Sequence, residues 1–178
     1  VSSQESDSLT DSGSLSDNKW VSAVGDTLYL AQADEQGNVN GLLQMQLDGS
    51  NGAKKKEVLP FSQDSYSSAY FSVLGDGTVY AADADGFFRC DAGDTNWQKL
   101  LQGIDTGFSL SDQWCRDIVA LSDGSVYAWF GSESGDKIMI YRYDPDAVTE
   151  VTEELTLYTV EESFFLQQAA VQYHKQHP

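Results

Sequence analysis

The stretch FSVLGDGTVYAA, from Phe71 to Ala82, contains the clearest structural signal in this chain. It reads as two apolar, alternating strands joined by the turn Gly75-Asp76-Gly77. Asp-Gly between alternating strands favours a hairpin, because both central residues of the turn can adopt positive φ. The stretch therefore predicts an antiparallel β-hairpin.

Two further segments repeat this pattern along the chain. They are VSAVGDTLYLA, starting at Val21, and IVALSDGSVYAW, starting at Ile118. Their equivalent tyrosines, Tyr29, Tyr80 and Tyr127, recur at intervals of roughly 50 residues, a period typical of propeller blades. In each unit a third strand follows (GLLQMQLD, GFFRCD and KIMIYRYD), and then a weaker fourth strand (KKEVLPF, NWQKLLQG and TEVTEE). The repeats therefore predict units of four antiparallel strands.

The predicted fold is all-β: a partial β-propeller-like array of about three four-stranded antiparallel blades, with a C-terminal strand and helix. The blades are expected at about residues 19–62, 66–103 and 114–153. Closed propellers have about four to eight blades, so three would leave two apolar sheet faces in water. We expect further blades beyond Pro178 or self-association to cover them. An open stack and a single curled sheet are the alternatives.

The charge of the chain is strongly acidic. There are 28 acidic and 10 basic residues, giving a formal net charge of -18. This field disfavours nucleic acid and anionic membrane surfaces as partners. The one basic cluster, Lys54 to Lys56, is best explained as a solvated loop or as protection of an edge strand. Residues 1–18 are rich in Ser and Asp, and they predict a disordered polar tether.

Two local motifs suggest chemistry but have simpler structural interpretations. DADG, Asp83 to Gly86, resembles the start of a calcium loop, but apolar residues follow where ligands are needed, which favours a hairpin turn. DAGDTNW, Asp91 to Trp97, resembles the Asp-box turn of sialidase-type propellers, which is structural. The spacing of Cys90 and Cys115 indicates no metal site, and two buried free thiols are favoured over a disulfide.

No catalytic constellation is recognisable in the sequence. Paired carboxylates can be chosen in many ways among the acidic residues, so no pair is evidence for glycoside hydrolysis. His174 and His177 lie near the end of the chain, where a helix C-terminus favours imidazolium, and no nucleophile elbow accompanies them. The tryptophans are predicted to pack between blades rather than to form a sugar-stacking platform: Trp20, Trp97, Trp114 and Trp129. We expect no catalytic residue, metal or cofactor.

The C-terminal segment, residues 154–178, has a different pattern. LTLYTV, Leu155 to Val160, is apolar or β-branched nearly throughout, as expected of a strand buried on both faces. EESFFLQQAAVQYHK then shows helical periodicity, with acidic residues at its start and Ser163 as a candidate N-cap. A strand followed by a helix and Pro178 predicts the beginning of a βαβ unit.

This segment resembles the opening of extracellular solute-binding proteins of ABC importers. The matching residues are Leu155, Thr156, Leu157, Tyr158, Ala169, Ala170, Tyr173, Lys175 and Pro178. The order of polar tether, repeats and strand-helix also resembles some members from Gram-positive bacteria. The resemblance implies a lipid-anchored, extracellular receptor that captures a solute, often a carbohydrate, and delivers it to a permease.

In open α/β sheets, ligands bind beyond the carboxyl ends of the strands. The resemblance therefore implies solute-contacting residues just after the predicted strand: Thr159, Glu161, Glu162 and Ser163. The function expected is that of a non-catalytic N-terminal region of such a receptor. The alternatives are a fragment of a propeller glycoside hydrolase or lyase, and a protein-interaction propeller.

Overall fold

The computed structural model of the chain describes residues 20–35, 37–47, 53–61, 68–108 and 112–142, and also residues 166, 169, 170, 172 and 173. Across these residues the fold is all-β, which confirms the predicted class. It consists of three antiparallel sheets of four, four and three strands. Within each sheet, strands that are consecutive in the chain are neighbours and pair antiparallel.

Sheet 1 is formed by β1 (Val21–Val24), β2 (Thr27–Ala33), β3 (Val39–Leu47) and β4 (Ala53–Pro60). Sheet 2 is formed by β5 (Tyr70–Val73), β6 (Val79–Asp83), β7 (Gly86–Cys90) and β8 (Gln98–Gln102). A short 3-10 helix at Gly103–Asp105 follows it. Sheet 3 is formed by β9 (Gln113–Ala120), β10 (Val126–Ser132) and β11 (Lys137–Tyr141).

The predicted hairpins of sheets 2 and 3 have the same turn. Gly77 and Gly124 adopt φ of 91° and 83°, a conformation that glycine reaches without steric cost. In each turn the preceding aspartate accepts a 2.9 Å hydrogen bond from a backbone amide, Asp76 from Thr78 and Asp123 from Ser125. The amide hydrogen bond lowers the pKa of Asp76, whereas hydrogen bonds from the Ser125 hydroxyl and then from its amide lower the pKa of Asp123. The repeated Asp-Gly therefore encodes one turn geometry twice.

The core lies in two layers, one on each side of sheet 2. Strand β6 supplies both layers, because its residues are all buried and alternate between the two faces. The first interface, between sheets 1 and 2, contains Tyr29, Ala31, Val39, Leu42, Leu59, Phe61, Ala69, Phe71, Val79, Ala81 and Cys90. The second interface, between sheets 2 and 3, contains Tyr80, Ala82, Phe87, Cys115, Ile118, Ala120, Val126, Ala128 and Phe130.

The first strands of the three sheets lie beside one another: β5 contacts both β1 and β9. Two hydrogen bonds join β5 to β9. The Tyr70 hydroxyl donates to the Cys115 carbonyl at 2.6 Å, and the Ala120 amide donates to the Ser72 hydroxyl at 2.9 Å. Sheets 2 and 3 are therefore held together by hydrogen bonds between side-chain hydroxyls and backbone groups as well as by apolar packing.

Several predictions fall on residues that the structure does not describe. The tether at 1–18, the fourth strand of the third repeat and the predicted strand Leu155 to Val160 all lie outside the described residues. Leu166, Ala169, Ala170, Gln172 and Tyr173 have helical backbone geometry and are exposed. No α-helix with defined ends occurs among the described residues, so these do not bear out the predicted C-terminal helix. The two cysteines are free and buried, as predicted.

Candidate functional site

The outer face of sheet 3 is the most distinctive surface in the described part of the chain. In β10, Val126, Ala128 and Phe130 point into the second interface, so Tyr127 and Trp129 point the other way. Tyr127 lies between Val119 and Ile140 in the register, and Trp129 lies opposite Ile138. We call the following residues the sheet 3 outer face: Trp114, Arg116, Val119, Tyr127, Trp129, Ile138 and Ile140. All except the half-buried Tyr127 are exposed.

An arginine lies between the two tryptophans of this face. The Arg116 guanidinium carbon is 5.8 Å from the Trp114 ring centroid and 5.2 Å from that of Trp129. Its Nη2 also contacts Asp136 Oδ1 at 3.3 Å. A β-bulge between β9 and β10, at Trp129/Phe130, places the arginine there. The result is an apolar surface with one paired cation, which suits stacking against another surface.

Gly131 makes this arrangement possible. A Cβ atom at this position would lie 2.7 Å from Trp114 Nε1 and 2.8 Å from Arg116 Nε. Without that atom, both side chains can lie across β10. Each cation–π contact at an exposed site contributes about 0.5–1 kcal/mol, so Arg116 orders the two indoles to a modest extent.

The DADG motif forms the β6–β7 turn, which confirms the hairpin interpretation. Asp83 is buried, and its Oδ1 accepts a 2.8 Å hydrogen bond from the Asp85 amide. Its Oδ2 has no hydrogen-bond partner among the described residues. Desolvation raises the pKa of this carboxyl to about 6. Within the described ranges, no group of three or more His, Cys, Asp or Glu side chains is positioned to hold a metal ion.

The DAGDTNW motif also has a structural role. Asp94 Oδ1 accepts hydrogen bonds from the Thr95 amide at 2.6 Å and the Asn96 amide at 3.1 Å, which lower the pKa of Asp94. Trp97 then donates from Nε1 to the Pro60 carbonyl at 2.6 Å and packs edge-on against Phe61 at 5.1 Å. The motif therefore fixes sheet 2 against the last strand of sheet 1.

The sequence-predicted solute contacts, Thr159, Glu161, Glu162 and Ser163, lie outside the described residues, as do His174 and His177. The prediction that tryptophans pack between sheets is right for Trp20 and Trp97, which pack against the first interface. For Trp114 and Trp129 it is wrong within this chain, because both are exposed. One feature of the sequence could have indicated this exposure: Trp129 stands at the position where the other two repeats have an alanine.

Neither a family model nor a curated protein sequence matches the chain. None of the described helical positions belongs to a helix that is long and apolar enough to cross a membrane.

Proposed function

We propose that this chain is a non-catalytic, propeller-like region of an extracellular, lipid-anchored solute-binding protein of an ABC importer, with a carbohydrate as solute. The observation that carries the proposal is the segment Leu155 to Pro178, whose residues resemble the opening of that family's binding module. The polar tether and the repeats precede this segment in the order that the resemblance implies.

The packing of the sheets supports a propeller-like arrangement. At the first interface the Tyr29 hydroxyl oxygen lies 3.9 Å from the position that a Cβ would take on Gly77. At the second interface the Tyr80 hydroxyl oxygen lies 4.0 Å from the same position on Gly124. Equivalent residues therefore meet in the same way at both interfaces, with the first strands adjacent. A repeated relation between successive sheets is what a propeller requires.

The proposal includes no reaction. The aspartates that the sequence singles out within the repeats serve turns: Asp76, Asp94 and Asp123 accept hydrogen bonds from backbone amides one or two positions later. Solute contact is proposed for Thr159, Glu161, Glu162 and Ser163, and a permease is the proposed protein partner of the complete receptor. The net charge of -18 argues against nucleic acid as a partner.

Solute titration of the complete gene product tests the proposal. We expect one sugar in a panel of monosaccharides and oligosaccharides to bind, as measured by calorimetry. Glu161→Gln should weaken that binding by about tenfold, the cost of one hydrogen bond to the solute. Glu133→Gln, in the exposed β10–β11 turn, is the matched control and should leave affinity unchanged.

Localisation provides a second, independent measurement. Proteolysis of intact cells should remove the protein from the surface, and labelling with a lipid precursor should mark the complete gene product. Cytoplasmic protein without lipid would contradict the proposal. Release of reducing sugar from a glycan panel by the purified protein would instead favour the glycoside hydrolase or lyase alternative.

A protein-interaction role is the second candidate function. The observation that favours it is the exposed apolar surface of the sheet 3 outer face, with Trp114 and Trp129 on either side of Arg116. If the complete protein binds no solute but binds a protein partner specifically, this alternative is favoured over solute uptake.

A further inference from the structure

The outer face of sheet 1 carries a methionine that is buried more deeply than its position in the sheet explains. In β3, Leu42 points into the first interface, so Leu43 and Met45 point to the opposite face. Met45 is 0% exposed, yet it belongs to neither of the two interface clusters among the described residues. Its burial therefore has a different origin from that of the core.

Neighbouring strands alone do not bury a side chain in this way. Trp129 points outward from β10, which has a strand on each side, and it is still 44% exposed. Met45 points outward from β3, which also has a strand on each side. A further layer must therefore cover Met45. On the same face Val21 and Val58 are 58% and 49% exposed, so that layer covers the middle of the face rather than its edges.

The composition of the chain outside the described residues identifies what can form this layer. Residues 48–52 (DGSNG), 62–67 (SQDSYS) and 109–111 (SLS) are short and mainly polar, and residues 1–19 consist mostly of Ser, Asp and other polar residues. An uninterrupted apolar or β-branched run occurs at LTLYTV, Leu155 to Val160. Burial of Met45 requires an apolar partner, and this run supplies one.

We propose that the segment Leu155 to Val160 docks on the outer face of sheet 1, over Met45. The C-terminal part of the chain thus returns from the last sheet to the first. The inference goes beyond the proposed function and does not depend on solute binding. The described helical positions that follow the segment, among them Leu166 and Tyr173, are exposed, so they stay available for contacts with a binding module.

The direction of the chain and its length allow this contact. Strand β11 ends at Tyr141, which pairs with Val126 beside the β9–β10 turn, and Met45 pairs with Leu28 beside the β1–β2 turn. These turns lie at the same end of the stack, because the repeat tyrosine contacts the following turn at both interfaces. When extended, residues 143–154 span up to about 40 Å, whereas three layers at about 10 Å each require about 30 Å.

The charges of the two partners are complementary. Lys56 lies opposite Met45 in the register and ends the one basic cluster of the chain, Lys54 to Lys56. Glu153 and Glu154 directly precede the docking segment. In a chain with a net charge of -18, a basic cluster attracts an acidic segment and favours its docking close by.

Thiol labelling of the full chain tests the proposal. Met45→Cys introduces a thiol that should react slowly with iodoacetamide in the native protein, as followed by peptide mass spectrometry. Adding Leu157→Asp and Tyr158→Asp should raise its labelling rate by at least about tenfold, because carboxylates cannot be buried on an apolar face. Leu9→Asp with Leu15→Asp adds the same two charges to the N-terminal segment and is the matched control, which should leave the rate unchanged.

The native thiols show whether the effect is local. Cys90 and Cys115 are buried within the two interfaces, so they should stay slow to react when the segment is released. Equal acceleration of all three thiols would mean general unfolding and would overturn the proposal. If Met45→Cys fails to fold by circular dichroism, Leu28→Cys replaces it, because Leu28 lies beside Met45 on the same face.

The other outcomes point to other causes of the burial. Fast labelling of Met45→Cys in the otherwise unaltered chain would overturn the proposal, because nothing would then cover the face. A faster rate in the Leu9→Asp, Leu15→Asp control would assign the covering layer to the N-terminal segment and would also overturn it. So would an unchanged rate in both pairs of variants.

Cross-linking provides an independent measurement. Val58→Cys combined with Thr156→Cys should form a cross-link within one chain when treated with a short bismaleimide. Ile140→Cys combined with Thr156→Cys is the control and should not, because Ile140 lies on the sheet 3 outer face. A product of twice the chain mass from the first pair would show docking on a second copy, and that result would overturn the proposal.

Discussion

The substitution Asp83→Asn should change how the stability of this protein depends on pH. Asp83 is buried at the β6–β7 turn, and its Oδ2 has no hydrogen-bond partner among the described residues. Burial raises the pKa of the carboxyl from 3.8 to about 6. The asparagine is nearly the same size, and its Oδ1 can still accept the hydrogen bond from the Asp85 amide. The substitution therefore removes the charge and keeps the turn.

The direction in which stability changes with pH follows from proton binding. With a raised pKa, the folded state holds the proton more tightly than the unfolded state between pH 3.8 and about 6. The stabilisation from Asp83 is therefore complete at low pH and is lost as the pH rises through 6. A shift of about two units corresponds to at most about 3 kcal/mol. Because the adjoining Ala84 and Asp85 are only half-buried, solvent screening reduces the expected loss to about 1–2 kcal/mol.

Urea unfolding followed by tryptophan fluorescence, between pH 4 and pH 8, measures this effect. The free energy of unfolding of Asp83→Asn, relative to the unaltered chain, should rise by about 1–2 kcal/mol from pH 4 to pH 7. Asp112→Asn, at an exposed position before β9, is the control and should show no such trend. A difference that is constant with pH would refute the reasoning, because it would mean that folding does not raise the pKa of Asp83.

Three further outcomes are expected. Trp97→Phe keeps an aromatic ring but removes the indole N–H that donates to the last strand of sheet 1, so the free energy of unfolding in urea should fall by about 0.5–1.5 kcal/mol. An unchanged urea midpoint would contradict the role of Trp97 in joining the two sheets. Gly86→Ala should lower the free energy of unfolding by more than about 3 kcal/mol, because φ is 142° and the added Cβ would clash with the backbone of β8. Gly75 lies in open space, so Gly75→Ala is the control and should lower it by less than about 1 kcal/mol. Cys90 and Cys115 should resist iodoacetamide at pH 8 in the native state and react with it in urea. Burial raises the pKa of both thiols, that of Cys115 to about 12, so little thiolate is present in the folded protein. Rapid labelling of the native protein would contradict their burial.

The parts of the fold that sequence predicts well are those encoded locally. The Asp-Gly turns at Asp76 and Asp123, and the strands beside them, follow from residues within one hairpin. Strand β6 could be predicted as fully buried from its run of apolar residues. Its alternation between two neighbouring sheets, with Val79 on one side and Tyr80 on the other, depends on packing that no local pattern contains.

The sheet 3 outer face was harder to predict for the same reason. A tryptophan in an alternating strand looks like a core residue, and Trp129 would be one if another sheet followed it in the stack. Arg116 comes to this face through a β-bulge, which shifts the register by one residue and so changes which side chains share a face. Neither feature can be read from composition or from the repeat period alone.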